Sequence, residues 1–265
     1  MGKQTGVDWC HHTFNPWWGC YKVSPGCKHC YAAAFDHRLG GDHWQRRGPR
    51  RWMSDRYWQQ PLQWNRDAER AGERRRVFCA SMADVLEQHP VKAINDRMDA
   101  YRERLWALVD QTPMLDWLFL TKRIEEAFTT FPWMDDDEPM PNAWLGVTAE
   151  DDEHARTRIP QLLQLRDHFD KLFVSYEPAL GPIAWDRSLL EGLDWVIFGD
   201  ESGHPRRDAA LDWARSTRDA CASYGVEFFF KQWAGADAPG LAGERGPRKV
   251  IHLPILDGRQ HEAYP

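Results

Sequence analysis

Short apolar runs, rich in β-forming residues, alternate along the chain with stretches of helical period. The first clear run is RRVFCASM, and each run ends in polar residues. Continuous apolar strands of this kind are typical of a parallel sheet that is buried on both faces. The pattern predicts strands at 75–82, 116–123, 142–150, 171–178, 194–203 and 226–233, with a further strand near 5–9.

Helical periodicity fills most of the intervals between these strands. Apolar residues spaced by three and four positions predict one helix over 98–108 and another over 210–224. Gly225 is well placed to end the second helix. Pro160 interrupts the pattern around 153–166, so we expect that helix to start late or to kink.

Six or seven alternations of strand and helix predict an α/β fold built from right-handed βα units. Seven such strands suit an incomplete TIM-like parallel barrel, with an open doubly wound sheet as the alternative. Both architectures place ligands at the carboxyl ends of the strands. We expect one domain over residues 1–265, with an Arg/Trp-rich insertion at about 40–76.

Three cysteines lie close together in the run GCYKVSPGCKHCYA, after the first predicted strand. Cys20, Cys27 and Cys30 have the spacing C-x6-C-x2-C, and no fourth cysteine follows directly. Three thiolates can hold three irons of a four-iron, four-sulfur cluster and leave the fourth iron open to a small molecule. Structural zinc is the alternative, and the fourth ligand would then come from Cys10, His11, His12 or His29. Six cysteines in 265 residues are too sparse for a disulfide scaffold.

Polar or reactive side chains end each predicted strand. If the strands are parallel, these groups gather around one mouth together with the cysteine loop. S-adenosylmethionine, the ligand that an open iron would suit, needs partners for an ammonium, a carboxylate and ribose hydroxyls. Helix caps and strand-end salt bridges explain any single one of these residues equally well. We take Ser81, Asp84, Thr148, Glu150, Ser175, Glu177, Asp200 and Ser202 as candidate cofactor-binding residues, and Lys122, Glu201 and Lys231 as candidate catalytic residues.

Charge and hydropathy exclude some classes of protein. The net charge of −6 argues against a globally basic coat protein for nucleic acid. No apolar run approaches the roughly 20 residues that span a bilayer, so we expect no membrane association. The N-terminus lacks the apolar segment of a secretory signal, which favours a cytoplasmic protein with reduced thiols. Fifteen tryptophans indicate broad aromatic packing or a site that stacks planar groups.

Residues 44–76 carry ten arginines against four acids, interleaved with aromatic rings. This composition suits a surface that neutralises phosphates and stacks bases. A solvated helical face with its tryptophans turned to the core is the competing interpretation, because arginine also stacks on tryptophan inside ordinary folds. The aromatic residues concerned are Trp44, Trp52, Tyr57, Trp58 and Trp64.

The motifs resemble those of a phage and bacterial family of three-Cys-motif proteins of uncharacterised function, related to radical S-adenosylmethionine enzymes. The matching segments include TFNPWWGCYKVSPGCKHCYA, VFCASMADVLE, LFLTKR, WLGVTAED, VSYEPALGPI, DWVIFGDESG and VEFFFKQWAG, in order along nearly the whole chain. The resemblance implies a barrel of radical S-adenosylmethionine type with Cys20, Cys27 and Cys30 as cluster ligands. It also implies a partner protein encoded nearby.

Three positions depart from the pattern of the related families. The x6 gap replaces the x3 gap of the wider radical enzyme superfamily. Asp200 stands where a glycine is usual, and Cys10 stands where a threonine is expected.

Together these features predict an iron–sulfur enzyme that cleaves S-adenosylmethionine to modify or repair a substrate. The Arg/Trp segment and the phage association favour a nucleic acid or nucleotide as that substrate. Two alternatives without this chemistry stay open: a zinc-stabilised binding protein, and an iron–sulfur protein that only transfers electrons or senses redox state.

Overall fold

The computed structural model describes residues 6–135, 140–202, 205–235, 241–243 and 250–265. The chain divides into two compact units, Met1–Leu145 with Asp167–Asp170, and Gly146–Arg166 with Lys171–Pro265.

The helices are α1 (Tyr31–Arg38), α2 (Asp55–Trp58), α3 (Gln60–Ala71), α4 (Lys92–Asp110), α5 (Ala127–Thr130), α6 (Asp152–Leu163), α7 (Arg187–Leu190) and α8 (Leu211–Tyr224). The strands are β1 (His12–Phe14), β2 (Trp17–Trp18), β3 (Arg51–Trp52), β4 (Arg75–Cys79), β5 (Leu115–Thr121), β6 (Met140–Thr148), β7 (Phe169–Tyr176), β8 (Trp195–Gly199), β9 (Glu227–Trp233), β10 (Leu241–Ala242), β11 (Ile251–His252), β12 (Ile255–Leu256) and β13 (Arg259–Gln260).

Eight strands form one sheet in the order β1-β4-β5-β6-β7-β8-β9-β11. The first seven follow one another in chain order, and the order does not reverse as it does in a doubly wound sheet. β1, β4 and β5 pair in parallel, as do β7, β8 and β9, whereas β11 pairs antiparallel with β9. The predicted α/β fold with an incomplete TIM-like barrel of seven in-order strands is therefore confirmed.

Six of the predicted strands lie within a few residues of the observed ones, but the strand expected near 5–9 is wrong. Residues 6–9 are not extended, and the first strand begins at His12. Pairing of His12 with Val77 sets this position, and the N–H of His11 donates to the carbonyl of Arg76 at 2.9 Å. The tertiary partner therefore decides where the strand starts, against the local apolar pattern.

Helix ends follow the local chemistry of the chain. Gly225 adopts a φ of 70° at the end of α8, as predicted. The expected late start of the helix around Pro160 is wrong, because α6 begins at Asp152 and contains the proline. The carboxylate of Asp151 accepts the N–H of His154 at 3.0 Å, and this cap fixes the start of the helix.

Aromatic side chains build the core of each unit separately. In the first unit, Phe14 packs against Tyr57, Trp58 and Trp117 with ring centroids 5.0–5.6 Å apart. In the second unit, the ring of Trp195 contacts those of Phe173 and Phe229, each with its centroid at 5.9 Å. Five tryptophans are among the largest fully buried side chains, so packing is a main use of this residue type here: Trp17, Trp58, Trp117, Trp133 and Trp195.

No helix in the described ranges is long and apolar enough to cross a membrane.

Candidate active site

The three predicted ligands lie on one irregular segment between β2 and α1, which we call the cysteine loop (residues 19–30). A single 3₁₀ turn, Pro25–Cys27, shapes its middle, and Cys30 is the residue directly before α1. Cys20, Cys27 and Cys30 are all free thiols with partial exposure. Half-buried, unoxidised thiols on one loop are the state that a metal or cluster site requires.

Gly19 fixes the entry to the cysteine loop. Its N–H donates to the carbonyl of Met82 at 3.0 Å, next to the end of β4. Its φ is 118°, and a Cβ built on it would lie 2.5 Å from the backbone oxygen of His43. A side chain at this position is excluded both by the backbone angle and by the close approach of a second loop.

Arg123 connects the cysteine loop to the end of β5. Its Nη1 donates to Asp84 Oδ2 at 2.8 Å and to the Cys20 sulfur at 3.5 Å, while Nη2 donates to the Tyr21 carbonyl at 2.8 Å. The guanidinium also lies over the Tyr21 ring, 4.5 Å from its centroid. The Nη atoms of Arg123 therefore position the loop.

The carboxylate of Asp84 accepts hydrogen bonds from the segment after β4 and from the end of β5. Its carboxylate accepts the Thr121 hydroxyl at 2.9 Å, the N–H of Leu86 at 3.1 Å and the N–H of Lys122 at 3.3 Å, besides the Arg123 contact. Asp84 is 6% exposed, so a free carboxylate there would be costly. Asp84, which was predicted to bind a ligand, is thus a buried residue that connects the ends of these strands through hydrogen bonds.

The thiols of the loop have unequal acidities. Burial raises the pKa of Cys20 to about 12, even though Arg123 opposes the shift. Burial also acts to raise the pKa of Cys27, but the positive charge of Lys122 and hydrogen bonds from Val23 and Ser24 outweigh it, so this pKa lies below its usual value. The predicted catalytic Lys122 therefore acts electrostatically on a predicted metal ligand.

The donor set fits a cluster by its chemistry, since three free thiols share one loop. As the loop stands, however, no three His, Cys, Asp or Glu side chains within the described ranges form a group that could hold a metal ion. The assignment of Cys20, Cys27 and Cys30 as ligands stays a prediction.

The residues proposed to close a zinc site have partners of their own. His11 Nδ1 accepts the N–H of Arg76 at 2.8 Å, and the Cys10 thiol contacts the Val7 carbonyl at 3.8 Å. The ring of His12 stacks on Trp64 with centroids 4.3 Å apart. These contacts favour three open thiols over a closed four-ligand cage.

Ser81 belongs to a hydrogen-bonded group that sequence reasoning missed. The amide of Asn15 donates to Ser81 Oγ at 3.2 Å, and its oxygen accepts the N–H of Met82 at 2.6 Å. The Tyr31 hydroxyl donates to the Ser81 carbonyl at 2.7 Å. Asn15 stands inside the TFNPWWGC motif, so a buried asparagine beside the cysteines was the available signal.

In the second unit, Glu177 and Lys231 form an ion pair. Their charged atoms are 2.6 Å apart, and both side chains are 16% exposed. The amide of Gln232 donates to the same Glu177 oxygen at 3.1 Å and to the Asp200 carbonyl at 3.1 Å. Gly199 permits this close packing, because a Cβ there would lie 3.2 Å from the Glu177 side chain.

Asp200 has one satisfied and one unsatisfied carboxylate oxygen. Oδ2 accepts the N–H groups of Ala234 and Gly235 at 2.6 and 2.8 Å, while Oδ1 is buried and has no hydrogen-bond partner. Burial raises the pKa of Asp200 to about 7; the two backbone hydrogen bonds oppose the shift, and Glu177 adds to it. Asp200 is therefore the one predicted ligand residue with a buried acceptor available.

The remaining predicted residues of this unit are largely committed to structural contacts. Glu201 accepts the N–H and Nε of Arg207 at 2.9 and 3.0 Å. Arg158 donates to the Thr148 carbonyl and to Glu150, both at 2.7 Å. The buried Ser175 offers its carbonyl to Ala149 at 3.0 Å, and the half-buried Ser202 precedes Gly203, which lies outside the described residues.

The aromatic residues of the Arg/Trp segment serve the fold. Tyr57 and Trp58 are buried, and Trp44, Trp52 and Trp64 are half-buried. Arg104 from α4 lies over Trp58, with its guanidinium carbon 4.4 Å from the ring centroid. This supports the structural interpretation of these rings, while most arginines of the segment remain exposed.

Comparison with known proteins gives a family and a distant structural likeness. A family model described as "Protein of unknown function (DUF5131)" matches residues 4–265. No curated protein sequence matches the chain. One solved structure, a spore photoproduct lyase mutant with bound AdoMet and dinucleoside spore photoproduct, is similar at a TM-score of 0.45 and 12% identity, over 92% of this chain and 68% of that one.

Proposed function

We propose that this chain, which belongs to the DUF5131 family of proteins of unknown function, is an iron–sulfur enzyme that uses S-adenosylmethionine to modify or repair a substrate. The observation that carries the proposal is the cysteine loop. It presents three free, half-exposed thiols beside the polar ends of parallel strands β4 and β5. Parallel α/β sheets bind their ligands at this end.

Cys20, Cys27 and Cys30 would hold a 4Fe–4S cluster through their thiolates. Such a cluster would supply the one-electron reduction that splits S-adenosylmethionine, with methionine as the leaving group and hydrogen abstraction from the substrate as the outcome. Arg123 and Asp84 would keep the loop in place, with the Arg123 Nη1 donating to the Cys20 sulfur. A hydrogen bond to a ligand sulfur tunes the cofactor that the sulfur holds.

The second unit offers groups that suit the polar parts of S-adenosylmethionine. The ammonium needs carboxylate acceptors, and the ribose hydroxyls need acceptors of the same kind. The unsatisfied Oδ1 of Asp200 is the acceptor that the geometry favours, whereas Glu177 already accepts from Lys231 and Gln232. Thr148, Glu150 and Ser175 are buried among structural contacts, so we give them a supporting role. Glu201 and Lys231 would act only after exchanging their present ion pairs.

The experiment is anaerobic purification followed by incubation with dithionite and S-adenosylmethionine. We expect 5′-deoxyadenosine, detected by mass spectrometry, and its loss in Cys27→Ala. Cys221→Ala is the matched control, since this free cysteine is buried in α8 and far in sequence from the loop. A zinc-containing colourless protein, or a brown protein that leaves S-adenosylmethionine intact, would instead establish one of the two non-enzymatic alternatives. A need for the partner protein implied by the resemblance is tested by repeating the assay in its presence.

A further inference from the structure

Helix α1 presents an apolar face to solvent directly after the cysteine loop. Tyr31, Phe35 and Leu39 are spaced by four residues, which places them on one side of the helix and its end. They are 47%, 40% and 59% exposed, and Val23 in the loop is 42% exposed. Four of the six most exposed large apolar residues of the described chain thus belong to residues 23–39.

Exposed cations lie in the same stretch of the chain as this face. Within residues 20–54, Asp42 is the one exposed acid, since Asp36 is buried against His43. The chain as a whole carries a net charge of −6, so this concentration of positive charge is local. The exposed cations are Lys22, Lys28, Arg38, Arg46, Arg47 and Arg51.

Ring and guanidinium contacts bring these elements together. Arg51 lies over Trp18 at 4.5 Å, and the Trp18 ring is 5.9 Å from that of Phe35. Arg38 lies 5.7 Å from the Phe35 centroid, and Arg46 lies 5.9 Å from the Tyr21 centroid. We call residues 21–51 with these exposed groups the loop–helix surface.

We propose that the loop–helix surface binds single-stranded nucleic acid, with phosphates on its cations and bases on the rings of Tyr31 and Phe35. Charge complementarity selects a polyanion, and exposed planar rings beside arginines select one that carries accessible bases. A duplex would leave the rings unused, because its bases are already stacked. Binding of nucleic acid by this surface does not depend on the proposed function. Only the statement that single-stranded nucleic acid is the substrate class rests on it.

The test is fluorescence anisotropy with labelled oligo(dT) and oligo(U) of about 20 nucleotides, on the full chain without S-adenosylmethionine or reductant. Loss of a stacking ring in Phe35→Ala should weaken binding about 10-fold. The double variant R46A/R47A should weaken binding and reduce the slope of log K against log salt by about 1.4, since each phosphate contact contributes about 0.7. The oligo(dT) and oligo(U) affinities tell DNA from RNA.

Control variants with the same types of substitution outside the loop–helix surface distinguish loss of a specific binding surface from a general loss of positive charge. Phe128→Ala removes a phenylalanine that is 55% exposed, and R66A/R70A removes two exposed arginines of the same Arg/Trp-rich segment. Both should bind within about twofold of the unmodified chain, inside the scatter expected for a non-contact surface change. Equal weakening in the controls would overturn the proposal, and so would equally tight binding of poly-glutamate, which points to an acidic protein partner.

The oligonucleotide-binding assay and the S-adenosylmethionine-cleavage assay test separate claims, so a negative result in one does not imply a negative result in the other. Absence of oligonucleotide binding together with intact 5′-deoxyadenosine formation removes the nucleic acid and leaves the enzyme. Ring- and cation-dependent binding in a chain without iron supports the surface and removes the enzyme.

Discussion

Replacing Arg123 by methionine tests whether this residue holds the cysteine loop. The change keeps most of the side-chain volume but removes every donor. The side chains alone of Arg123 and Asp84 are 5% and 8% exposed, and removal of one partner of a buried ion pair costs about 3–5 kcal/mol. Asp84 keeps donors from Thr121, Leu86 and Lys122, which places the cost near the lower limit. Loss of the Tyr21 carbonyl contact adds about 1 kcal/mol, so we expect about 4 kcal/mol in total.

The assay is urea unfolding followed by both tryptophan fluorescence and circular dichroism, with coincident transitions as the condition for a free energy. Asp84→Asn and the double variant complete a thermodynamic cycle, from which we expect a coupling free energy of about 2 kcal/mol. A thiol reagent should also modify Cys20 more slowly in Arg123→Met, because the cation that opposes the rise of the Cys20 pKa is lost and less of the thiol is ionised. Purely additive single variants, with unchanged thiol reactivity, would refute the role given to Arg123.

Three further variants test other parts of the structure. Gly19→Ala should lower both the unfolding midpoint and the metal content, because its Cβ would lie 2.5 Å from the His43 carbonyl; a fully loaded, equally stable variant contradicts this. Arg50→Met should cost about 3–5 kcal/mol in urea unfolding, since Arg50 and Glu87 are both fully buried; a loss below about 1 kcal/mol contradicts the pairing. Burial raises the pKa of Asp200 to about 7, so its protonated form favours the folded state and this contribution is lost as pH rises from about 4 to about 7. Asp200→Asn should therefore gain more thermal stability relative to the unmodified chain at about pH 8 than at about pH 5, and equal differences at both pH values contradict the shift.

The periodic pattern predicted the sheet because buried parallel strands are apolar throughout and need little tertiary information. It failed at the first strand, where a pairing between His12 and Val77, 65 positions apart, sets the start. It also misjudged Pro160, because the Asp151 cap at the other end of α6 decides where the helix begins. The first error arises where a contact outside the local window determines the strand. The second arises because the hydrophobic period does not register the local cap at Asp151.

The residue types at the strand ends identified the reactive and hydrogen-bonding side chains. They could not show which of these side chains bind a ligand and which support the fold. Asp84 follows its strand as expected, yet it binds Arg123, and Arg123 in turn binds the cysteine loop. The partners of Glu150 and Glu201, namely Arg158 and Arg207, carry no sequence signal that pairs them. The exposure of Tyr31 and Phe35 was likewise invisible, because aromatic residues at helical spacing usually mark the packed face of a helix.

Metal analysis of the anaerobically purified chain tests the central claim most directly. The account predicts about four irons and four sulfides per chain, lost in Cys27→Ala and retained in Cys221→Ala. Stoichiometric zinc without iron, or an iron content that Cys27→Ala leaves unchanged, would contradict it.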